Sequence, residues 1–423
     1  MNVTSRIAPP EVAQPGLFGW YHQGTPAARK GLWAAALGWM LDGFDVMLYA
    51  LVLGALLQEF SISTRTAGML GSLTLVASGL GGVLFGAIAD RMGRRRAMIG
   101  SILIYSIFTA LCGLAQTVSQ LAVFRFLLGL GMGGEWTSGA ALVSETWPDE
   151  HRGKAVAWMQ SAWAIGYAGA AIIVALVLSR FGWRVVFLIG LLPALLTLWI
   201  RRHVHESEMW LASQKEPARG RPSVRDVFFG RFASTTLLLT FLSLTTVFAY
   251  WGLSLWVPAY LSLPVSRGGL GLSTSTTTLL VVTMQMGTFL GYVSFGYVSD
   301  AFGRRKSFVT YILTAAVLIL VYSAIESVPL LLVVGPLVAF FGTGLFSGFG
   351  AITAEIYPTA VRAIAQGFTL NMGRLGSAAA PFMVGSLAET HGFGTAFALL
   401  AAALMLGSLT WIWLPETRGR RLL

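Results

Sequence analysis

The chain consists of long apolar runs separated by short polar connections. An apolar segment of about 20 residues is long enough to cross the ~30 Å hydrocarbon core of a bilayer as an α-helix. By that rule the 423 residues contain twelve predicted spans. Their predicted bounds are 31–57, 67–89, 97–117, 121–143, 155–178, 185–200, 233–258, 276–299, 308–325, 328–352, 363–388 and 393–414. The pattern therefore predicts an all-α membrane protein with twelve transmembrane helices.

The composition agrees with this pattern. Hydrophobic residues make up 55% of the chain and charged residues 11%, whereas a soluble protein carries roughly a quarter charged residues. The 49 glycines suit helices that pack closely inside a bilayer. Cys112 is the only cysteine, which excludes an intramolecular disulfide and a thiolate metal cluster. His203 and His205 are too few ligands for a metal, so the sequence predicts neither a metal site nor a cofactor.

Positive charge is distributed unevenly between the connections. Most of the 29 Lys and Arg residues fall on one side of the predicted membrane. The positive-inside rule places that side, and with it both termini, in the cytoplasm of a plasma (inner) membrane protein. Topology thereby explains the net charge of +11, and nucleic-acid binding is not predicted. Residues 1–30 lack the apolar core of a signal peptide and are predicted to be a disordered cytoplasmic tail, with a second cytoplasmic tail at 415–423.

An internal repeat divides the chain into two halves. A polar cytoplasmic linker, 201–232, separates a half of six spans at 31–200 from another at 233–414. GAIADRMGRRR (86–96) aligns with GYVSDAFGRRK (296–306) at an offset of 210 residues, and the same offset pairs further acidic, basic and glycine positions along about a hundred residues. Two parallel six-helix repeats predict two pseudo-symmetric bundles with a binding site between them near the midplane.

These motifs resemble the major facilitator superfamily of transporters from about residue 30 onward. The resemblance is carried by the doubled G-x-x-x-D-x-x-G-R-[RK] loops at 86–95 and 296–305, by RFLLGLGMGGEW (125–136) and by ETWPDEHRG (145–153). LDGFD, GGEW and FGWRVVFLIGLLP further resemble the proton symporters for organic acids, with the sialate and lactate branch first and the aromatic-acid branch second. The resemblance implies two six-helix bundles that rock about a central site.

The doubled loops allow two interpretations. Their arginines fix the orientation of the helices in the membrane, or they belong to a latch that holds the cytoplasmic side closed. The resemblance implies the latch, in which Asp90 and Asp300 pair with arginines such as Arg152 and Arg362. Recurrence in both halves favours this shared mechanical role. The predicted gating residues are Asp90, Arg94, Glu145 and Arg152 in the first half and Asp300, Arg304, Glu355 and Arg362 in the second.

Five ionisable residues lie well inside predicted spans: Asp42, Asp45, Arg125, Glu135 and Arg374. Each costs about 2.5–3.5 kcal/mol at the bilayer centre on insertion scales, so such residues usually face a cavity or a partner and are functional. The alternative is a set of structural ion pairs that lock helices together. The five positions are therefore the first candidates for a functional site.

Depth in the membrane suggests how two of these charges interact. With a rise of ~1.5 Å per residue, Asp45 lies roughly 21 Å above the cytoplasmic end of its span and Arg125 about 7–8 Å below the opposite boundary. The two side chains therefore lie at a similar height in a core ~30 Å thick. Proton symporters that this chain resembles couple through such an aspartate–arginine pair. When a carboxylate in a site without water moves away from its arginine, it takes up a proton. Asp42 and Glu135 are predicted to be additional proton carriers, secondary to Asp45.

Arg374 is the predicted substrate contact. Its guanidinium needs a counter-charge, and a substrate carboxylate is a natural bidentate partner; permanent pairing with Glu135 or Asp42 is the alternative. Asn371 lies one turn away on the same helix face. Amides and aromatic side chains near the midplane complete the predicted binding site: Gln160, Gln285, Trp136, Tyr167 and Trp251, with Trp163 and Tyr250 beside them.

Together these features predict a secondary transporter that imports a small organic acid with protons. The alternatives are a proton-coupled sugar or polyol symporter and a proton-antiporting exporter of aromatic or drug-like compounds. The spans contain no nucleophile–base or metal constellation of an enzyme, and the chain has no P-loop, so an ion gradient is the predicted energy source. The predicted partners are a carboxylate substrate, protons and the lipid bilayer, and the predicted functional unit is a monomer.

Overall fold

The computed structural model describes residues 19–213, 229, 232–357 and 359–418. The first half of this part contains α1 (Gly19–Gln23), α2 (Pro26–Glu59), α3 (Thr64–Met92), α4 (Arg94–Cys112), α5 (Val118–Thr146), α6 (Asp149–Ile189), α7 (Pro193–His203) and α8 (Glu208–Ser213). The second half contains α9 (Ala233–Ser262), α10 (Thr274–Phe302), α11 (Arg304–Ser323), α12 (Val328–Gly344), α13 (Phe346–Ile356), α14 (Thr359–Ser377) and α15 (Ala379–Ser408). Short 3₁₀ turns lie at Val265–Arg267 and Leu409–Ile412.

Several long helices begin at a hydroxyl side chain that satisfies the free backbone N–H groups of the first turn. Thr25, Ser63, Thr117 and Ser273 each accept a hydrogen bond from the N–H group three residues later. Such caps matter here because a polar backbone group left unpaired near the hydrocarbon is costly. Ser63 and Ser273 are one repeat apart, so the two halves begin equivalent helices in the same way.

The twelve predicted spans are helical. Nine helical stretches of the described residues are long and apolar enough to cross a membrane. Two of them, His151–Ile200 and Ala365–Ile412, have 50 and 48 residues and are long enough for two spans each. Both are broken at a glycine with positive φ, Gly182 and Gly392, a conformation that favours glycine. The twelfth helix is α5, whose 29 residues include three ionisable side chains, Arg125, Glu135 and Glu145.

The helices form two bundles with the same internal packing. In the first bundle α3 packs on α5 and α2 packs on α6, and in the second α10 packs on α12 while α9 packs on α14 and α15. The closest approach recurs one repeat apart: Gly81 faces the carbonyl oxygen of Leu130, and Gly291 faces that of Phe340. A β-carbon at either glycine would overlap the carbonyl. Small residues of this kind let helices pack closely where lipid removes most of the hydrophobic driving force.

We expect Gly81→Val to destabilise the first bundle by about 1–3 kcal/mol, because the added carbons must push α3 away from α5. Gly86 on the same helix has no atom within 4 Å of the position that a β-carbon would take, so Gly86→Val is the matched control. Thermal unfolding of the purified variants in detergent compares them. Gly291 and Gly296 repeat the contrast in the second bundle. An equal loss of stability at Gly81 and Gly86 would contradict close packing as the reason.

The two bundles meet on the face that carries the connection between α2 and α3, called here the distal face; the beginning of α2 lies on the opposite, proximal face. Thr64 donates a hydrogen bond to the Gly385 carbonyl at 2.9 Å, and the Arg65 N–H donates to Glu389 at 3.0 Å. The Phe382 N–H donates to the Ser72 hydroxyl at 3.1 Å. These bonds join α3 to α15 and close the distal side.

Residues 19–30 are ordered, which corrects the predicted disordered tail for this stretch. Trp20 of α1 is buried and packs on Trp147 at 5.1 Å between ring centroids. The Trp147 indole N–H in turn donates to the Ala28 carbonyl at 3.1 Å. The prediction failed because it weighed the polar composition of the segment and overlooked one large apolar side chain with a partner in the bundle. Residues 1–18 and 419–423, and most of the predicted linker after α8, lie outside the described residues.

Candidate functional site

Three carboxylates lie together inside the first bundle. Asp42 and Asp45 on α2 and Glu135 on α5 are each 0% exposed. None of their oxygen atoms has a hydrogen-bond partner within the described part of the chain. Native proteins rarely leave buried polar atoms unpaired. The three side chains are therefore costly in this conformation, and a functional reason for them is required.

Glycines on the neighbouring helices leave room for these carboxylates, because they have no β-carbon. Glu135 lies against Gly38 on α2, where a β-carbon would overlap its carboxylate. Asp45 lies in the same way against Gly190, and its Oδ1 atom is 3.0 Å from the position that a β-carbon of Gly190 would take. Gly43, between the two aspartates, packs under the ring of Trp163. The turn of α2 that carries the two aspartates thus packs on an aromatic side chain of α6.

Arg125 of α5 is 1% exposed and lies over the ring of Tyr49, with 3.8 Å between Cζ and the ring centroid. The face of an aromatic ring attracts a cation, which offsets part of the cost of burying the guanidinium. Asp45 accepts no hydrogen bond from Arg125, and no ion pair within 4.0 Å joins these two described residues. The predicted Asp45–Arg125 pair is thus not formed in this conformation, and for other conformations it stays a prediction.

Arg374 of α14 comes from the second bundle and faces the first. Its guanidinium lies over Trp136 at 5.2 Å, and the Trp136 indole N–H donates to Gln160 at 2.8 Å. Asp42 is the charged group that acts on Arg374 electrostatically. Neither Asp42 nor Glu135 accepts a hydrogen bond from it. Arg374 is half-buried and lies at the boundary between the two bundles.

Asn371 lies one turn before Arg374, where α14 crosses α3. Its side-chain oxygen is 3.8 Å from the position that a β-carbon of Gly82 would take. The predicted neighbours Arg374, Asn371, Trp136 and Gln160 therefore lie at the boundary between the bundles.

A cavity of about 590 Å³, counted to its mouth, lies mainly in the second bundle. Of the predicted binding residues, Tyr167 and Gln285 line it, together with Tyr250. Its hydroxyl and thioether side chains were not predicted from the sequence, because threonine and methionine are ordinary residues in apolar spans. The lining residues with polar or sulfur atoms are Tyr167, Thr246, Tyr250, Ser254, Met284, Gln285, Thr288 and Thr343.

A row of aromatic rings runs from the carboxylates to this cavity. Trp39 packs on Trp163 at 4.6 Å, and Trp163 meets Trp251 at 5.9 Å across the bundle boundary. Trp251 meets Tyr250, a cavity residue, at 5.5 Å. Tyr167 also crosses the boundary, since its hydroxyl donates to the Ser254 carbonyl at 2.9 Å. A rearrangement in the cavity can therefore reach the helix turn that carries Asp42 and Asp45.

The predicted gating loops form the same ion pairs in both halves. Arg94 pairs with Asp90 at 2.6 Å and with Glu145 at 2.8 Å. One repeat later Arg304 pairs with Asp300 at 2.5 Å and with Glu355 at 2.8 Å. The predicted pairing of the two aspartates with Arg152 and Arg362 stays a prediction, and the side chain of Arg362 lies outside the described residues.

Two further acidic residues, Glu206 and Glu416, complete these loops and were not predicted from the sequence. Glu206 accepts from the Arg94 N–H at 2.8 Å, and Glu416 accepts from the Arg304 N–H at 2.9 Å. Burial alone would raise the pKa of Glu416, but the backbone N–H groups that it accepts from, including those of Arg418, Arg304 and Arg305, lower it overall. The 210-residue offset that separates the two glutamates was the signal that could have revealed them.

The buried charges, in contrast, are not repeated. One repeat after Asp42, Asp45, Arg125 and Glu135 the chain has Gly252, Leu255, Gly335 and Leu345. The buried acids and Arg125 are therefore confined to the first bundle, whereas Arg374 and most of the cavity belong to the second. The two bundles share their helix packing and loop ion pairs, and they differ in their buried charged residues.

Comparisons with known proteins agree with this architecture. The sequence profile described as Major Facilitator Superfamily matches residues 35–268 and 261–422. A probable 4-methylmuconolactone transporter of Cupriavidus pinatubonensis is 34% identical over 411 residues, covering 95% of this chain and 94% of that protein. The sialic acid transporter NanX of Escherichia coli is 31% identical over 386 residues, covering 91% and 93%.

The solved structure of a D-xylose-proton symporter has a TM-score of 0.74 and 22% identity, covering 92% of this chain and 99% of that one. At this identity the likeness concerns the fold alone. Transporters named for gentisate and benzoate also match in sequence. Members of both predicted branches, sialate and aromatic acid, are therefore among the relatives.

Proposed function

Because the chain belongs to the Major Facilitator Superfamily and is an integral multi-pass membrane transporter, not an enzyme, we propose that it moves a small organic acid together with protons by alternating access. Asp42, Asp45 and Glu135 take up and release the protons in this proposal. Arg374 binds the carboxylate of the substrate. The distal side, closed in this structure, opens when the bundles rock.

The proposal rests on the combination of buried, unpaired carboxylates and an arginine at the boundary between the bundles. The carboxylate oxygens of the three acids accept no hydrogen bond of standard geometry from the described residues, and a charged carboxylate in such a place is strongly disfavoured. Their neutral, protonated forms suit this conformation. Arg374 keeps its charge in all conditions and faces the space between the bundles, where an anion can balance it.

The lining of the cavity in the second bundle supports a small acid with an unsaturated or hydroxylated body. The cavity of about 590 Å³ offers aromatic faces from Tyr167 and Tyr250 and hydrogen-bonding groups from Gln285, Thr246 and Thr288. Aromatic rings stack on flat substrates, and the amide and hydroxyl groups suit substituents. Relatives named for the transport of sialic acid, gentisate and benzoate fit the same description.

The orientation and organisation follow from the basic connections. The proximal face, which carries the arginine-rich loops, is cytoplasmic in this proposal, so both termini are cytoplasmic and the protein resides in the inner membrane. The domain boundaries are those predicted from the sequence, with bundles at 31–200 and 233–414. The functional unit is one chain, because each chain contains both bundles and all the residues that line the cavity.

Uptake into proteoliposomes with an imposed pH gradient tests the function. Labelled cis,cis-muconate, benzoate, N-acetylneuraminate, lactate and xylose are the probes, and vesicles without a gradient are the control. We expect one or more of the acids to accumulate only when the outside is acidic. Accumulation of xylose alone would favour a sugar symporter, and gradient-driven efflux of bulky aromatic compounds would favour an exporter. Gradient-independent equilibration of an acid would contradict proton coupling.

A further inference from the structure

Tyr105 of α4 lies among the three buried carboxylates. It is 0% exposed, and its hydroxyl donates a long hydrogen bond of 3.4 Å to the Gly38 carbonyl of α2. The carboxylate of Glu135 lies against the same Gly38. Asp42 is one turn further along α2. The Tyr105 hydroxyl therefore lies where α2, α4 and α5 pack together, at the height of Gly38.

A second hydroxyl stands one turn further along α4. Thr109 is 0% exposed and faces Asp45. A β-carbon on Gly190 would meet both the Thr109 methyl group and the Asp45 carboxylate, which shows that these two side chains adjoin. Neither Thr109 nor Asp45 has a hydrogen bond of standard geometry in this conformation. Residues four apart on a helix share a face, so Tyr105 and Thr109 form a row of two hydroxyls beside the row of acids.

The charged groups around Tyr105 come from two of the helices that pack on α4. Asp42 and Asp45 of α2 and Glu135 of α5 interact electrostatically with its hydroxyl. Arg125 lies instead over Tyr49 and interacts with Tyr49 and Cys112. Tyr105 is thus surrounded by acids and away from the arginine. A phenol is both donor and acceptor, which makes it suited to link acids that cannot all be charged at once.

We infer that Tyr105, assisted by Thr109, passes protons between Glu135 and the two aspartates of α2. The phenol donates its proton to an ionised Asp42 carboxylate and takes the proton of a neutral Glu135 carboxyl through its oxygen. Asp42 ends protonated, Glu135 ends ionised and the phenol is unchanged, so atoms and charge balance. Thr109 makes the equivalent link for Asp45. The inference rests on the proposed proton coupling and adds the path by which the acids exchange protons.

Packing holds the tyrosine in place for this role. Gly131 of α5 lies against the backbone of α4 at Tyr105, with 2.7 Å between the Tyr105 nitrogen and the position that a β-carbon would take. One repeat later Tyr105 corresponds to Ala315 in the second bundle, which has no buried acids at the matching positions. The hydroxyl row and the acids therefore occur together in one half only, as expected if they act together.

Tyr105→Phe tests the inference because it removes one oxygen atom and leaves the ring. Reconstituted protein is assayed for pH-driven uptake and for exchange at equal pH, with labelled cis,cis-muconate, benzoate and N-acetylneuraminate as probes. We expect driven uptake to fall to about a tenth or less, since a positioned proton-transfer group contributes at least roughly a hundredfold to a rate. Exchange needs no net proton transfer and should stay within about twofold of the unchanged protein.

Two further variants make the result decisive. Tyr311→Phe is the matched control, since Tyr311 is also buried, in the second bundle, and its hydroxyl faces Ser294. Thr109→Val makes the same test on the second hydroxyl with little change of shape. Driven uptake by Tyr105→Phe at the normal rate would overturn the inference, as would a parallel loss of uptake and exchange, which indicates a structural role. Failure of the unchanged protein to accumulate any acid would instead contradict the proposed function itself.

Discussion

Asp45→Asn is expected to abolish pH-driven accumulation while leaving substrate exchange at equal pH largely intact. Asparagine has nearly the shape of a protonated aspartate but cannot gain or lose a proton. A gradient of about two pH units supports up to roughly a hundredfold accumulation per coupled proton, because each tenfold step corresponds to about 1.4 kcal/mol. In Asp45→Asn the ratio of inside to outside substrate should fall to about one, its value without coupling. Proteoliposome uptake with and without the gradient measures this ratio.

Glu326→Gln is the control for this experiment, because Glu326 is an exposed carboxylate in the connection between α11 and α12. Its replacement removes a titrating group without touching the buried acids and should leave accumulation unchanged. Asp42→Asn and Glu135→Gln then show how much each of the other two acids contributes to proton-driven accumulation. If Asp45→Asn accumulates substrate as well as the unchanged protein does, Asp45 is not the coupling residue.

Arg374→Lys is expected to raise the KM for carboxylic acids roughly ten- to a hundredfold, with a larger increase for Arg374→Ala. Lysine keeps the positive charge but loses the planar fork that binds both carboxylate oxygens. The loss of one charge-assisted hydrogen bond costs about 1.5–3 kcal/mol, which corresponds to this range. The lysine side chain also loses the flat contact of the guanidinium with the Trp136 ring. Initial rates of exchange at several substrate concentrations give the KM.

Arg180→Lys is the matched control, because Arg180 is an exposed arginine near the end of the first part of α6. The neutral amide of a bound acid, such as benzamide beside benzoate, gives an independent readout of binding by competition. The unchanged protein should prefer the acid strongly, and Arg374→Ala should lose most of that preference. An unaltered KM in Arg374→Lys, or an unaltered preference in Arg374→Ala, would show that the arginine binds no carboxylate.

The fold was predictable from the sequence because its determinants are local or periodic. The apolar runs gave the twelve helices, since a span must satisfy its own backbone hydrogen bonds in lipid. The 210-residue offset gave the two bundles, and the structure repeats it in the ion pairs of Arg94 and Arg304. The cost of buried charge singled out Asp42 and Asp45 before any neighbour was known. The ordered structure of residues 19–30 was not predicted, because Trp147, the packing partner of Trp20, is distant from it in the chain.

The sequence by itself determined which residues cross the membrane, where the repeat lies and which charges need a functional reason. Only the tertiary structure decided their neighbours: Arg125 lies on Tyr49, Glu135 against Gly38, and Tyr105 among the acids. Depth along a helix follows from residue counting, because the rise per residue is fixed. The rotation of each helix and its choice of partner depend instead on how all the side chains of a bundle pack together.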